Sequence, residues 1–450
     1  MRKESVKSEN PKVALVSLGC PKNLVDSERM LAVLAEGGCV VGAPMDQADV
    51  IVVNTCGFLS SARDESLGVI GEALGLKRSG RARRVVVAGC LVNRDADKLF
   101  ELAPGIDAIV GVNDREQILR AVLGKRRQAR LTPHGAIGAP AGPLADSGRF
   151  RLTPRHTAYL RISEGCNQRC TFCTIPAIRG PFRSKLPASV LDEARELVAD
   201  GAIELNVIGQ DTTSYGCDLP GRDESLSTLL RALDRVDGVQ WVRLMYAYPQ
   251  RFSDELIETI ADCEKIVKYV DLPLQHISDG VLRRMGRRVT RAATEKLLDK
   301  LRARIPGMVL RTTFIVGFPG ETDEQFAELL DFVKAFRFDA LGVFEYSPEE
   351  GTPAGRLKGR VGSDVKSDRA RQVMLAQQEI VLAANRRWRG KMLDVMVDGQ
   401  DQAGRCVGRH YGQAPDIDSL CIFDSPAQAG HIVRAKVVGS EGYDLRVRGK

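Results

Sequence analysis

Apolar residues in the first quarter of the chain fall in short unbroken runs separated by helix-spaced patterns. Val13 to Leu18, Val50 to Val53, Val85 to Ala88 and Ile106 to Val110 read as strands. Leu24 to Ala35, Leu59 to Leu76 and Leu91 to Leu102 carry helical spacing between them, and another helix begins near Asp114. Unbroken apolar strands alternating with helices belong to a parallel sheet covered on both faces. The pattern predicts a small doubly wound α/β domain over residues 11–125.

From Thr157 the alternation resumes as six repeats. Their strands read as Ala158–Ile162, Glu204–Ile208, Trp241–Tyr246, Tyr269–Leu274, Leu310–Val316 and Ala340–Tyr346. One intervening helix opens at Thr322, where Gln325 three residues on completes a capping box ahead of Phe326, Leu329, Leu330 and Val333. Six such units predict an open (β/α)6 barrel over 156–365, with its chemistry on the loops after the strands' carboxyl ends. Residues 126–155 lack periodicity, and the Gly- and Pro-rich run Gly135 to Pro143 reads as a flexible connector. A connecting helix over 366–388 precedes short strands broken by Gly and Asp turns, which predict a small antiparallel β-barrel over 389–450.

Composition narrows the setting. No apolar run approaches the length of a membrane span, and Met1 to Asn10 is polar where a signal peptide would be apolar. A cytoplasmic protein is expected, where thiols stay reduced and grouped cysteines serve metals more often than disulfides. The net charge of +7 over 450 residues permits contact with an RNA-rich particle without demanding it. Over residues 390–450, eight basic and eight acidic residues cancel. A nonspecific RNA grip usually has a basic surface, so the acidic turn Asp416-Ile-Asp418 fits a basic protein partner at least as well.

Six of the 11 cysteines fall into two patterns. Cys166, Cys170 and Cys173 supply three thiolates within eight residues after the first barrel strand. A four-iron cube has four corners, so a trio leaves one iron open to bind and activate a substrate. A zinc site would bring a second Cys or His pair at matching spacing, and the five His (134, 156, 276, 410, 431) are scattered. A disulfide would leave an odd thiol.

Cys20, Cys56 and Cys90 each directly follow an apolar strand. The carboxyl ends of an open parallel sheet lie along one edge, so these distant thiols would converge as a second cluster site. Three separately buried structural cysteines are the alternative. Gly19, Gly57 and Gly89 beside them would let the backbone approach a bulky inorganic core. Cys39, Cys217, Cys263, Cys406 and Cys421 follow no such pattern and read as ordinary thiols. Gln275, Gly317 and Gly320 follow barrel strands and are candidates for a cofactor pocket, whereas His276 reads as structural.

Several stretches carry a resemblance. They are Ser17-Leu-Gly-Cys20-Pro-Lys-Asn-Leu-Val-Asp-Ser27-Glu28, Cys173-Thr-Ile-Pro-Ala-Ile-Arg-Gly180, Ile208-Gly-Gln-Asp-Thr-Thr213 and Phe344-Glu-Tyr-Ser-Pro-Glu-Glu-Gly-Thr-Pro353. Along nearly its whole length the chain resembles the radical S-adenosylmethionine methylthiotransferases. That family combines a three-cysteine domain, a radical S-adenosylmethionine barrel and a C-terminal TRAM domain. The motifs resemble the branch that modifies a ribosomal protein more than the branch that modifies adenosine in transfer RNA. The latter typically has Gly-Cys-Gln-Met-Asn at the first cysteine. One departure is Gly412-Gln413, where an acidic residue usually precedes Ala-Pro; it touches a detail of partner contact.

The resemblance implies two 4Fe-4S clusters and S-adenosylmethionine. Cys166, Cys170 and Cys173 would hold the cluster that cleaves S-adenosylmethionine to a radical. Cys20, Cys56 and Cys90 would hold an auxiliary cluster that presents methylated sulfur. The implied substrate is the β-carbon of an aspartate in the small-subunit ribosomal protein of the decoding centre, the twelfth in the usual count. An electron donor and a sulfur source are needed, the substrate is either the free protein or the assembling subunit, and RNA contact is secondary. Three alternatives stand beside this: a transfer RNA methylthiotransferase, a radical enzyme whose first cluster only relays electrons, and a zinc-stabilised RNA-binding protein.

Overall fold

The computed structural model describes residues 10–96, 98–124, 129–130, 145–220 and 224–449. Much of the expected connector, including Gly135 to Pro143, lies outside the described residues. The chain forms two compact units. One comprises Met1–Leu152 with Glu164–Asn167 and Thr174–Phe182; the other comprises Thr153–Ser163, Gln168–Cys173 and Arg183–Lys450.

The first unit is built on strands β1 (Lys12–Ser17), β2 (Val40–Val41), β3 (Val50–Thr55), β4 (Arg84–Gly89), β5 (Ala108–Val110) and β6 (Ala129–Arg130). They pair in the order β2-β1-β3-β4-β5-β6, every pair parallel. Alternate strand residues face opposite layers. Ala14, Ile51, Val53, Val85 and Val87 pack with Ile70, Ala73 and Leu74 of helix Ser60–Arg78. Val13, Val50, Val52, Val86 and Ala88 pack with Met30 and Leu34 of helix Pro21–Glu36 on the other face. Each Val, Ile, Leu or Met among them contributes about 1.5–3 kcal/mol when fully buried. The chain winds outward in both directions from β1 and β3, a switch point whose carboxyl edge opens a crevice for ligands. The expected helix over Leu91 to Leu102 is two pieces, Cys90–Asp95 and Lys98–Leu102, with Ala96 at φ 46° near the break.

In the second unit, strand β7 (Thr157–Arg161) precedes strand β8 (Ser163–Glu164), whose second residue belongs to the first unit, and the two-residue strand β9 (Arg183–Ser184). Strands β10 (Glu204–Ile208), β11 (Trp241–Leu244), β12 (Ile266–Asp271), β13 (Val309–Val316) and β14 (Ala340–Glu345) follow. They form a six-stranded parallel sheet, β14-β13-β12-β11-β10-β7, in which β14 and β7 are the two edges, so the barrel is open. Thr322 and Gln325 form the expected capping box. Helix Ser363–Trp388 leads to β15 (Met392–Gln400), β16 (Cys406–His410), β17 (Cys421–Phe423), β18 (Ile432–Glu441) and β19 (Asp444–Gly449), a closed barrel. All of its pairs are antiparallel except β17 with β19. Among the described residues no helix is long and apolar enough to cross a membrane.

The C-terminal barrel is bonded to the strands of the open one. Glu204, the first residue of β10 and fully buried, accepts from Arg243 Nε and Nη2 at 3.1 and 3.0 Å. It also accepts from Arg409 Nη1 at 3.1 Å. Arg243 Nη1 donates to the Tyr411 carbonyl at 2.6 Å. The acidic turn, which fits a basic protein partner at least as well as RNA, also bonds within the chain. Tyr159 donates to Asp416 at 3.2 Å, Tyr269 donates to Asp418 at 2.8 Å, and Arg311 donates to Asp418 at 3.2 Å. Gln413, part of the departure noted above, is a buried brace: its amide accepts from His410 N and donates to Ser419 Oγ, both at 3.0 Å.

Candidate functional site

In the first unit the loops after β1, β3 and β4 carry Cys20, Cys56 and Cys90. Cys20 stands at the N-cap of helix Pro21–Glu36, and Cys90 opens helix Cys90–Asp95. The loops touch. A Cβ placed on Gly19, at φ 87°, would lie 2.8 Å from Cys56 Cβ and 3.0 Å from its Sγ. One on Gly57 would lie 2.9 Å from the Leu91 Cα and 3.0 Å from the Cys90 carbonyl carbon. These glycines therefore let the three cysteine loops approach one another, a nearer cause than the inorganic core invoked from sequence.

Side-chain amides fasten the loops. Asn23 Nδ2 donates to the carbonyls of Leu18 at 2.6 Å and of Asn54 and Thr55 at 3.3 Å. Asn54 Nδ2 donates back to the Asn23 carbonyl at 2.9 Å and to Ser27 Oγ at 2.7 Å. Ser27 Oγ donates to Ser17 Oγ at 2.7 Å. The polar residues around Cys20 in sequence thus tie its loop to that of Cys56.

The thiols differ electrostatically. Burial works against a Cys20 thiolate, but Lys22, Arg179 and the N–H groups of Asn23 and Lys22 outweigh it and lower the pKa. Burial raises the Cys56 pKa and pushes Cys90 up to about 12, against the opposing pull of Arg179. Such thiols keep their protons at neutral pH until a metal displaces them.

Arg179, which follows Cys173 by six residues, belongs to the same unit and is buried. It donates to Asp26 at 2.9 Å, Glu164 at 3.0 Å, Asn23 Oδ1 at 3.4 Å and Cys90 Sγ at 3.3 Å. Asn93 donates to the Ile178 carbonyl at 2.9 Å. Cys166 also lies here, its N–H donating to the Gly180 carbonyl at 3.2 Å.

Cys170 and Cys173 lie in the second unit. Their loop rests on those after the barrel strands. Gln168 Nε2 donates to Asp211 at 2.9 Å, and Thr171 bonds the Arg284 and Met285 carbonyls at 2.8 and 2.9 Å. Phe172 meets Phe318 edge-on with centroids 6.4 Å apart. Arg287 points a donor at Cys170 Sγ from 3.9 Å, donates to the Pro273 carbonyl at 2.7 Å and stacks over Tyr248 at 4.3 Å. Gln275, after β12, holds φ 73°, and Tyr246, after β11, holds φ 57°. Left-handed non-glycine residues at neighbouring strand ends are strain of the kind that clusters at ligand sites. Gly317, at φ 71°, is covered by Lys366, whose Cγ an added Cβ would overlap; Gly320, at φ 77°, faces Arg284. His276 is buried, and burial lowers its pKa to about 3; its Nδ1 accepts from Ser278 N at 3.0 Å.

Sequence reasoning missed Arg179, Arg287 and the Asn23–Asn54 lashing. Arg179 and Asn23 lay inside the quoted motifs, but no periodicity marks a polar residue that bonds across a hundred positions. Of the other cysteines, Cys39, Cys263, Cys406 and Cys421 are buried and Cys217 is exposed. Among the described residues no three His, Cys, Asp or Glu side chains gather tightly enough for a single metal ion. A cube takes its thiolates at separate corners. The converging soft sulfur donors, with a guanidinium aimed at one sulfur, fit such a cluster.

The Radical SAM superfamily profile matches residues 160–333, that of Uncharacterized protein family UPF0004 matches 12–111, and that of the TRAM domain matches 390–448. Among solved structures, the radical S-adenosylmethionine methyltransferase TsrM from Kitasatospora setae aligns with TM-score 0.58 and 18% identity, over 83% of this chain and 90% of that one. Fold and profile define a radical S-adenosylmethionine enzyme. Ribosomal protein uS12 methylthiotransferase RimO of Pelotomaculum thermopropionicum is 45% identical over 443 residues, 96% of this chain and 98% of that protein. Its counterpart in Geobacter sulfurreducens is 45% identical over 438 residues, 96% and 97% of the two chains. The chain belongs to the RimO family of radical S-adenosylmethionine methylthiotransferases.

Proposed function

We propose that this enzyme transfers a methylthio group to the β-carbon of an aspartate in ribosomal protein uS12. Cys166, Cys170 and Cys173 would hold one 4Fe-4S cluster, and Cys20, Cys56 and Cys90 a second. S-adenosylmethionine would lie over the carboxyl ends of the barrel strands near Gln275, with Gly317 and Gly320 shaping the adjoining turn. These groups supply one-electron cleavage of a sulfonium at one trio and sulfur for transfer at the other, chemistry that no side-chain base can perform on an unactivated C–H bond. An electron donor and a sulfur source complete the requirements.

The protein's own contribution is positioning and charge. Lys22, Arg179 and a helix N-terminus favour thiolate at Cys20. Arg287 presents a donor to the Cys170 sulfur. The observation that carries the two-cluster reading is the mutual contact of the three loops bearing Cys20, Cys56 and Cys90.

Charge favours a protein substrate over transfer RNA, the alternative. Arginines on the C-terminal barrel are paired: Arg405 with Asp401 at 2.7 Å and Glu441 at 3.0 Å, and Arg434 with Asp394 at 2.9 Å. Arg446 and Arg448 share Asp424 at 2.9 and 3.3 Å. A phosphate grip needs cations free to displace counterions, so direct RNA contact is secondary.

The test is mass spectrometry of purified uS12 and of transfer RNA after anaerobic incubation with S-adenosylmethionine, reductant and a sulfur source. A methylthio adduct on one uS12 aspartate, absent with Cys170→Ala, is expected. An adduct on transfer RNA alone refutes the substrate assignment.

A further inference from the structure

We infer that Arg179 is a positioning residue that sets the charge environment of the Cys20–Cys56–Cys90 site and fixes it relative to the backbone just before Cys166. The inference rests on the reading of that trio as cluster ligands. Its basis is one guanidinium with four partners. Nη2 reaches the Cys90 sulfur at 3.3 Å and Asn23 Oδ1 at 3.4 Å, while Nη1 reaches Asp26 at 2.9 Å and Glu164 at 3.0 Å. Asn23 and Asp26 lie on the helix that Cys20 caps. Glu164 precedes Cys166 by two residues.

The side chain is 1% exposed, against 4% for Asp26 and 2% for Glu164. At such burial bulk solvent screens these charges little, so each interaction counts for more than at a surface. The guanidinium fork gives three directions of bonding at once, which an ammonium on a flexible stem does not reproduce. The segment carrying it is itself pinned, because Asn93 holds the Ile178 carbonyl and Thr174 Oγ1 reaches the Phe58 carbonyl at 3.4 Å.

A donor and positive charge at a ligand sulfur stabilise the more negative, reduced state of a cluster, which raises its potential. Arg179 thus makes the auxiliary site easier to reduce than three thiolates in the same burial would be. Asp26 and Glu164 hold the guanidinium in place and temper its charge.

The experiment uses the full chain with Cys166→Ala, Cys170→Ala and Cys173→Ala, so that only the auxiliary site can hold iron. Into it go Arg179→Lys and, separately, Arg179→Gln with Glu164→Gln, a pair that leaves the local net charge unchanged. Iron and sulfide per chain, a thermal melt and an EPR-monitored redox titration are recorded without substrate. Expected is retained iron with a midpoint lowered at least tenfold in the reduced-to-oxidised ratio, about 59 mV for one electron, in the double variant. Arg179→Lys falls between it and the parent. Retained iron with an unmoved or raised midpoint overturns the role of Arg179. Loss of iron together with a lowered Tm overturns it too, leaving Arg179 a purely structural residue. A parent that binds no iron sinks the auxiliary-cluster reading itself, a distinct result.

Discussion

Replacing Glu204 by glutamine tests how the two barrels of the second unit are joined. The carboxylate is fully buried and serves two buried guanidiniums, Arg243 and Arg409, while Thr157 Oγ1 donates to it at 2.9 Å. Burial opposes its charge, yet Arg409 and Arg243 bring its pKa down to about 2. Glutamine keeps the shape but turns one acceptor into a donor aimed at groups that can only donate or already do. Arg409 keeps Asp398 at 2.8 Å, whereas Arg243 keeps the Tyr411 carbonyl and the face of the Tyr269 ring, 4.7 Å away, but no carboxylate described above. Breaking a buried pair in this way costs about 3–5 kcal/mol. At about 2 °C per kcal/mol for a unit this large, Tm should fall by roughly 6–10 °C. Differential scanning calorimetry of the iron-free chain reads this directly. The pH dependence has a definite sign: a carboxyl with a depressed folded pKa stabilises above its unfolded value, near 4.5, and loses that contribution as pH falls through about 2. The gap between wild type and variant should therefore close across that window. A Tm change below about 2 °C at neutral pH would refute the reasoning.

Two further substitutions probe other parts. Gly57→Ala puts a Cβ 2.9 Å from the Leu91 backbone, so the Cys56 and Cys90 loops must part; iron per chain should drop while the Cys166 trio keeps its share. Thr322→Ala removes the capping-box oxygen that accepts from Gln325 N, which should cost about 1 kcal/mol in chemical denaturation.

What could be read from the sequence was what local pattern encodes. Unbroken apolar strands gave the position of each cysteine at a strand end, and the Thr322 box was visible because both partners lie within one turn. Errors arose where apolarity outlived regular structure. The fourth barrel strand was expected to run through Leu274, but β12 ends at Asp271, before Pro273, which has no N–H to offer a ladder. The break at Ala96 was hidden because a helical period reports faces and not a single left-handed residue. Long-range charge pairs were beyond reach altogether: Arg179 meets Asp26 across 153 positions and Arg409 meets Glu204 across 205. The bond from Arg311 to Asp418 in the acidic turn was hidden for the same reason, since it spans 107 positions.

The joint around Glu204 bears on how such chains can be recombined. Arg409, Asp416 and Asp418 stand opposite Glu204, Tyr159, Tyr269 and Arg311 as a lock stands to its key. A C-terminal domain transplanted from a distant relative, or trimmed away to leave a minimal enzyme, would strand buried ions in the remaining barrel. Exchange of C-terminal domains among these enzymes must therefore carry both halves of the joint together.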